Sequence, residues 1–148
     1  MRVEDYLWAE TDDACALCGC RERRALTIHH IDGDDQNNVY DNRIILCHNC
    51  HQRHHGKHGD VTAEQIRDRK RRLIMRTLTQ YGVNAIRIAG RRGHVVGAPF
   101  LLDHLVQLGF LRRETELQVF SDEGKEAVEV DCQYVITDDG RRLLSEWL

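Results

Sequence analysis

Two C-x-x-C pairs, Cys15/Cys18 and Cys47/Cys50, constrain this chain more than any other feature of its sequence. Two thiolates three residues apart can chelate one metal ion, and Gly19 supplies a tight turn that lets backbone amides face the sulfurs. The stretch CALCGC, Cys15 to Cys20, therefore reads as a zinc knuckle. The 148 residues amount to one ordinary domain or two small ones. A domain well under about 80 residues buries too little apolar surface to be comfortably stable, and a metal or disulfide staple compensates. The cellular setting decides between the two. The opening MRVEDYLWAETDD is charged and lacks the apolar segment of a signal peptide. No run approaches the roughly 18 apolar residues of a membrane span. The expected location is cytoplasmic, with no membrane partner, and there C-x-x-C pairs bind zinc more often than they form disulfides.

Residues 1–13 read as a short helical or irregular lead-in, with Tyr6, Leu7 and Trp8 as anchors. ALTIHHI, over 25–31, is short, apolar and partly β-branched, which suits a strand, and DGDDQNNVYDN after it is a loop dense in turn formers. RIILC predicts a second short strand or a lead-in to a helix. CHNCHQRHHGKHG predicts a helix closed by Gly56 and Gly59. A new unit begins at Thr62, where T-A-E-Q forms a capping box: the Thr62 hydroxyl accepts from the Gln65 amide and the Gln65 side chain answers. Ile66, Leu73, Ile74, Leu78 and Tyr81 then share one helical face, with Gly82 as the stop. A second helix is expected across 83–90. A third starts at Pro99, with Leu101, Leu102, Leu105 and Leu108 as its apolar stripe and Gly109 at its end. Residues 115–121 and 126–136 predict a hairpin around Asp122-Glu123-Gly124-Lys125, and ITDDGRRLLSEWL a closing amphipathic helix. The expectation is an α+β chain of two domains, 1–59 and 60–148.

Helix, helix, helix, hairpin, helix over residues 62–148 resembles a winged helix-turn-helix domain. The resemblance implies that PFLLDHLVQLGFLRR holds the helix that enters a major groove, although such domains also dock partner subunits or a second copy. The net charge of -3 argues neither for nor against nucleic acid. Its distribution says more: basic residues crowd into Arg67, Arg69, Lys70, Arg71, Arg72 and Arg76, then Arg87, Arg91 and Arg92, while the acids of the second half lie mostly after residue 113. From these, Arg67, Lys70, Arg71, Arg72, Arg91 and Arg92 are the candidate nucleic-acid contacts, with a solvated helix surface as the bland alternative.

Seven of the nine histidines lie between His29 and His58. Such crowding does not suit a structural core, because a buried imidazole needs a partner on each nitrogen. In order the chain offers Cys15 and Cys18, His29-His30, Asn42, Cys47 and Cys50, His51, then His54 and His55. The stretch CALCGC…LTIHHIDGD…NNVYDNRIILCHNCHQRHH resembles the HNH endonuclease motif in its zinc-binding variant, over about residues 14–58. That family folds as a ββα-metal finger, a hairpin and a helix gripping one catalytic divalent cation.

The resemblance implies a role for each position. Cys15, Cys18, Cys47 and Cys50 would form a closed tetrahedral zinc site, structural because no coordination position is left for water. Two disulfides are the alternative, and Cys20 and Cys132 are spare. His30 matches the general base, whose natural pKa near neutrality lets it take a proton from water. His29 and His51 would hold the cation. His55, one turn beyond His51, completes the site or touches substrate, and His54 competes for that place. Adjacent strand residues face opposite ways, so His29 and His30 reach one site only if the strand is distorted or the ion sits at its edge. Asn42 would brace the loop and orient the base, with an ordinary Asx turn as its bland reading. Asp32, Asp34 and Asp35 more readily build the loop than a second metal site, and His48 and His58 are surface or substrate-contacting.

The implied reaction is phosphodiester hydrolysis in DNA with Mg²⁺ or Mn²⁺; an imidazole-rich site also takes Zn²⁺ or Ni²⁺. Two other readings stay open at this point. One is a zinc-stapled DNA-binding regulator without catalysis. The other is a nuclease subunit that acts on RNA or only inside a larger defence complex. A homodimer or partner subunit engaged through the C-terminal domain is also expected.

Overall fold

A computed structural model describes residues 1–116 and 131–148. The chain is α+β, with five helices and two small antiparallel sheets among the described residues. It divides into two compact units, Met1–Thr77 and Leu78–Leu148. No helix among the described residues is long and apolar enough to cross a membrane.

In the first unit, helix α1 (Val3–Thr11) precedes the first C-x-x-C turn. Strand β1 (Leu26–His30) pairs antiparallel with β2 (Arg43–Cys47), in a register that sets Leu26 opposite Cys47 and His30 opposite Arg43. Every residue of β2 is buried, and α2 (His48–His55) follows it without a loop. Cys47 is the N-cap of α2, its sulfur accepting from the Cys50 amide at 3.5 Å. Helix α3 (Ala63–Arg92) starts at the expected capping box: the Gln65 amide donates to the Thr62 hydroxyl at 3.1 Å, and the Thr62 amide to Gln65 Oε1 at 2.9 Å.

The division at Thr77/Leu78 lies well beyond the expected boundary at 59/60. The first half of α3 contributes to the core of the first unit, where Ile66 and Leu73, with Val61 just before the helix, pack with Cys15, Ala16, Ile44, Leu46, Cys47 and Cys50. The helix breaks at Thr79 (φ 59°, ψ 169°), and the Thr79 hydroxyl accepts from the Gly82 amide at 3.5 Å. That contact makes Thr79 an N-cap for the second half, so Gly82 lies inside the new helix rather than ending the old one. The expected apolar face therefore holds for Ile66, Leu73, Ile74 and Leu78, all buried, and fails at Tyr81, which is exposed.

The second unit carries a three-stranded sheet in the order β3 (His94–Gly97), β5 (Cys132–Ile136), β4 (Leu111–Glu116). The four-residue strand β3 was not expected from the sequence. Helix α4 (Pro99–Gln107) begins at Pro99 and buries Leu102 and Leu105, with Gly109 (φ 85°) just past its end. Helix α5 (Asp138–Glu146) is capped by the Thr137 hydroxyl, which accepts from the Gly140 amide at 3.0 Å. The expected turn at Asp122-Glu123-Gly124-Lys125 lies outside the described residues.

Candidate metal centres

The two C-x-x-C pairs meet. Backbone hydrogen bonds from the Gly19 amide to the Cys15 carbonyl (2.9 Å) and from the Cys15 amide to the Cys20 carbonyl (2.8 Å) close the first turn, with Gly19 at φ 74°. The Ala16 amide ties that turn to the Ile45 carbonyl of β2 at 2.9 Å. Cys47 and Cys50 arrive from the end of β2 and the first turn of α2. All four sulfurs lie within 4.8 Å of one another, and Cys18 Sγ is 3.5 Å from Cys47 Sγ. None is in a disulfide. A tetrahedron with metal–sulfur bonds of about 2.3 Å has sulfurs about 3.8 Å apart, so the cluster could hold a structural metal such as zinc. Three of the thiols are buried and Cys18 is exposed.

Charge argues the same way. Burial raises the Cys15 thiol, but backbone hydrogen bonds from Cys18, Cys47 and Leu17 outweigh it and bring it down to about 7. Burial and the neighbouring sulfurs push Cys50 well up. Without a cation the first thiolate opposes the others; a bound divalent ion lets all four ionise. Of the spare cysteines, Cys132 is buried with the Arg113 guanidinium against its sulfur (2.8 and 3.1 Å), and Cys20 packs at the edge of the first core.

A second cluster forms where β1 faces α2. One ring nitrogen each from His29, His51 and His55 lies within 4.8 Å of the others. The His29 ring centroid is 5.2 Å from that of His51 and 5.3 Å from that of His55, and His51 lies 4.6 Å from His55. His29 is buried, yet its Nε2 has no hydrogen-bond partner. Burial, helped by the surrounding imidazoles, pulls its pKa down to about 4, and the same causes lower His51. Neutral rings with a free lone pair are the form in which imidazole binds metal.

Of the two competitors on α2, His55 joins the cluster. The His54 ring instead donates from Nδ1 to the Val61 carbonyl at 3.0 Å, while keeping edge contact with His29 at 5.2 Å between centroids. His48 and His58 are exposed.

His30 is the last residue of β1, half-buried, and its Nε2 lies 3.1 Å from Asn38 Oδ1. Asn42 is buried and spends its amide on the loop: Oδ1 accepts from the Asp32 amide (3.0 Å), and Nδ2 donates to Asp32 Oδ1 (2.8 Å) and the Asn37 carbonyl (2.9 Å). Its backbone carbonyl accepts from the Ile31 amide at 2.8 Å. Asn42 thus braces the loop, and the side-chain contact to His30 comes from Asn38. Sequence reasoning missed Asn38, which sits among turn formers of identical composition. Asp32 and Asp34 accept from backbone amides two residues on, as loop-building aspartates do.

One candidate for nucleic-acid contact must be withdrawn. Lys70 is wholly buried, its ammonium 2.7 Å from Glu10 Oε1 and 3.7 Å from the centroid of the Tyr40 ring. Glu10 Oε2 also accepts from the Tyr40 hydroxyl and from Thr77 (3.3 Å). Lys70 therefore points into the core, between Ile66 and Ile74 on the inner face of α3. Arg67, Arg71 and Arg72 are exposed in the first unit, and Arg91 and Arg92 in the second.

No protein-family model matches this chain, and no curated protein or solved structure matches it.

Proposed function

We propose that the chain is a metal-dependent endonuclease of the HNH type, acting on DNA phosphodiesters. The observation that carries this reading is the convergence of His29, His51 and His55 at one point, with His30 adjoining on the same strand. A hairpin followed directly by a helix, with imidazoles on both, is the arrangement a ββα-metal finger requires. The chemistry of the donor set fits a divalent cation: three imidazoles, of which His29 and His51 are pushed towards the neutral form by burial, and His29 keeps an orphaned buried nitrogen.

His29, His51 and His55 would hold the ion. When bound, the ion supplies charge neutralisation at the phosphate and the leaving oxygen. His30 is the base. Asn38 Oδ1 accepts, so the hydrogen sits on His30 Nε2, and Nδ1 carries the lone pair that takes a proton from water. Asn42 keeps the 31–42 loop closed and with it the position of Asn38. The four cysteines and their zinc pin α2 against β2, which fixes His51 and His55 relative to β1. The second unit would serve as a winged helix that binds nucleic acid or a partner.

Supercoiled plasmid, linear duplex, single-stranded DNA and RNA, each incubated with Mg²⁺, Mn²⁺ or EDTA, test the proposal. Cleavage of DNA that needs the metal and fails in His30→Ala supports it. Cleavage confined to RNA would change the substrate, and intact substrates throughout would leave a non-catalytic zinc protein.

A further inference from the structure

A cavity of about 410 Å³ is lined by residues of the four-cysteine cluster, of α2 and of the first half of α3. Cys18 and Cys50 form one wall; Arg53, Gln65, Arg69 and Arg72 are prominent on the others, with Asp60 and Val61 between. Gln65, Arg69 and Arg72 stand at i, i+4 and i+7, on one face of the helix.

Three residues of this lining, Asp60, Val61 and Gln65, have acceptors engaged inside the protein. Both Asp60 oxygens accept from Arg53, Nε and Nη2, each at 2.6 Å. The Val61 carbonyl accepts from His54, and Gln65 Oε1 is taken by the capping-box amide of Thr62. That last bond also fixes the orientation of the Gln65 amide and leaves its NH₂ group as a donor. The donors, by contrast, are in hand. Among the described residues, Arg69 and Arg72 have no ion-pair partner. Three guanidiniums face one carboxylate and the Cys18 and Cys50 sulfurs, and Arg69 and Arg72 remain once the Arg53–Asp60 pair is set aside. Forked donors that stand together without a carboxylate of their own fit an acceptor-only anion, and paired guanidiniums match the oxygens of a phosphate.

We propose that this cavity is a phosphate-binding site, with Arg69 and Arg72 as its ligands and Gln65 as a third donor. Its phosphate comes from a nucleic-acid backbone or from free phosphate, two sources that share this chemistry. The site is separate from the histidine cluster and does not depend on cleavage there. One rival explanation uses the same residues: a zinc ion with four thiolates carries two negative charges, for which the arginines would be counter-charges.

The test uses the zinc-loaded 148-residue chain carrying His30→Ala, so that binding is read without cutting. Arg69→Gln/Arg72→Gln is compared with its parent, and Arg69→Lys/Arg72→Lys keeps the charge while losing the fork. One arm measures affinity for a fluorescent 20-nucleotide DNA, single-stranded and duplex, across salt concentrations. The other titrates inorganic phosphate against the arginine Nε–H signals in NMR spectra. Zinc retention is measured by competition with a chelator. For a backbone site the Gln pair weakens DNA binding at least tenfold and lowers the salt slope by about 1–2, with zinc retention unchanged. For a free-phosphate site the Gln pair abolishes the phosphate-induced shifts and leaves DNA affinity alone. The Lys pair falls between in either case. Phosphate and DNA binding both indifferent to the Gln pair overturn the proposal, and a simultaneous loss of zinc retention would assign the arginines to the metal.

Discussion

The imidazoles of His29 and His51 meet edge to face, their centroids 5.2 Å apart and their planes at 77°, although one belongs to a strand and the other to a helix. Burial holds His29 neutral, with its pKa brought from an ordinary 6.5 to about 4. Between those values the unfolded chain binds a proton that the folded chain refuses. With zinc on the four cysteines and no ion on the histidines, stability should therefore fall as pH drops from 6.5 towards 4. Urea midpoints across that range measure it, and His29→Gln should flatten the profile. A midpoint that stays level in the wild type would show that His29 is not held neutral.

The four-cysteine cluster should bind one zinc per chain, and the first unit should depend on it. Cys47→Ser removes a ligand, while its hydroxyl can still cap α2. Elemental analysis should show that zinc lost, with the loss of most structure in residues 1–77, because a structural site contributes its binding energy to folding. Circular dichroism after chelation should agree. Retained zinc in Cys47→Ser would mean that the cluster is not its site.

Glu10 and Lys70 form an ion pair with neither side chain exposed, tying α1 to α3 and, through Tyr40, to the loop that ends at Asn42. Removing one member of such a pair leaves an uncompensated buried charge. Lys70→Met should cost about 3–5 kcal/mol in chemical denaturation, and the Glu10→Leu/Lys70→Met pair should recover most of it. A single variant as stable as wild type would contradict the buried placement.

Asn38 and Asn42 should separate by readout. Asn42→Ala leaves the Asp32 amide and the Asn37 carbonyl without their partner, so stability should fall by about 1–3 kcal/mol. Asn38→Ala releases an exposed side chain and should leave stability nearly unchanged. It should instead free the His30 ring to change tautomer, visible in ¹⁵N shifts of the imidazole. Unchanged shifts would remove Asn38 from the site.

The parts legible in the sequence were those set by chemistry over short spans. The C-x-x-C spacing, the Thr62–Gln65 capping box and the i, i+4 relation of His51 to His55 each involve residues within one turn, and all recur in the structure. What escaped depends on tertiary packing. Lys70 reads as one more surface cation in an Arg-rich helix, and only the arrival of Glu10 from sixty residues away makes its burial tolerable. Gly82 carries the usual signature of a stop, yet the break fell at Thr79, whose hydroxyl caps the following segment. The unit boundary moved for a similar reason: glycines at 56 and 59 mark a turn, but Ile66 and Leu73 belong to the core before it.

The most direct test is cleavage of supercoiled plasmid by metal-reconstituted wild type, His30→Ala and His29→Ala, with zinc content confirmed equal. Loss of a general base costs about 10²–10⁴ in rate. His30→Ala should therefore bind the cation normally and cut at least a hundredfold more slowly, while His29→Ala should lose the cation itself. Equal rates for wild type and His30→Ala, or no cutting by wild type under any metal, would contradict the assignment.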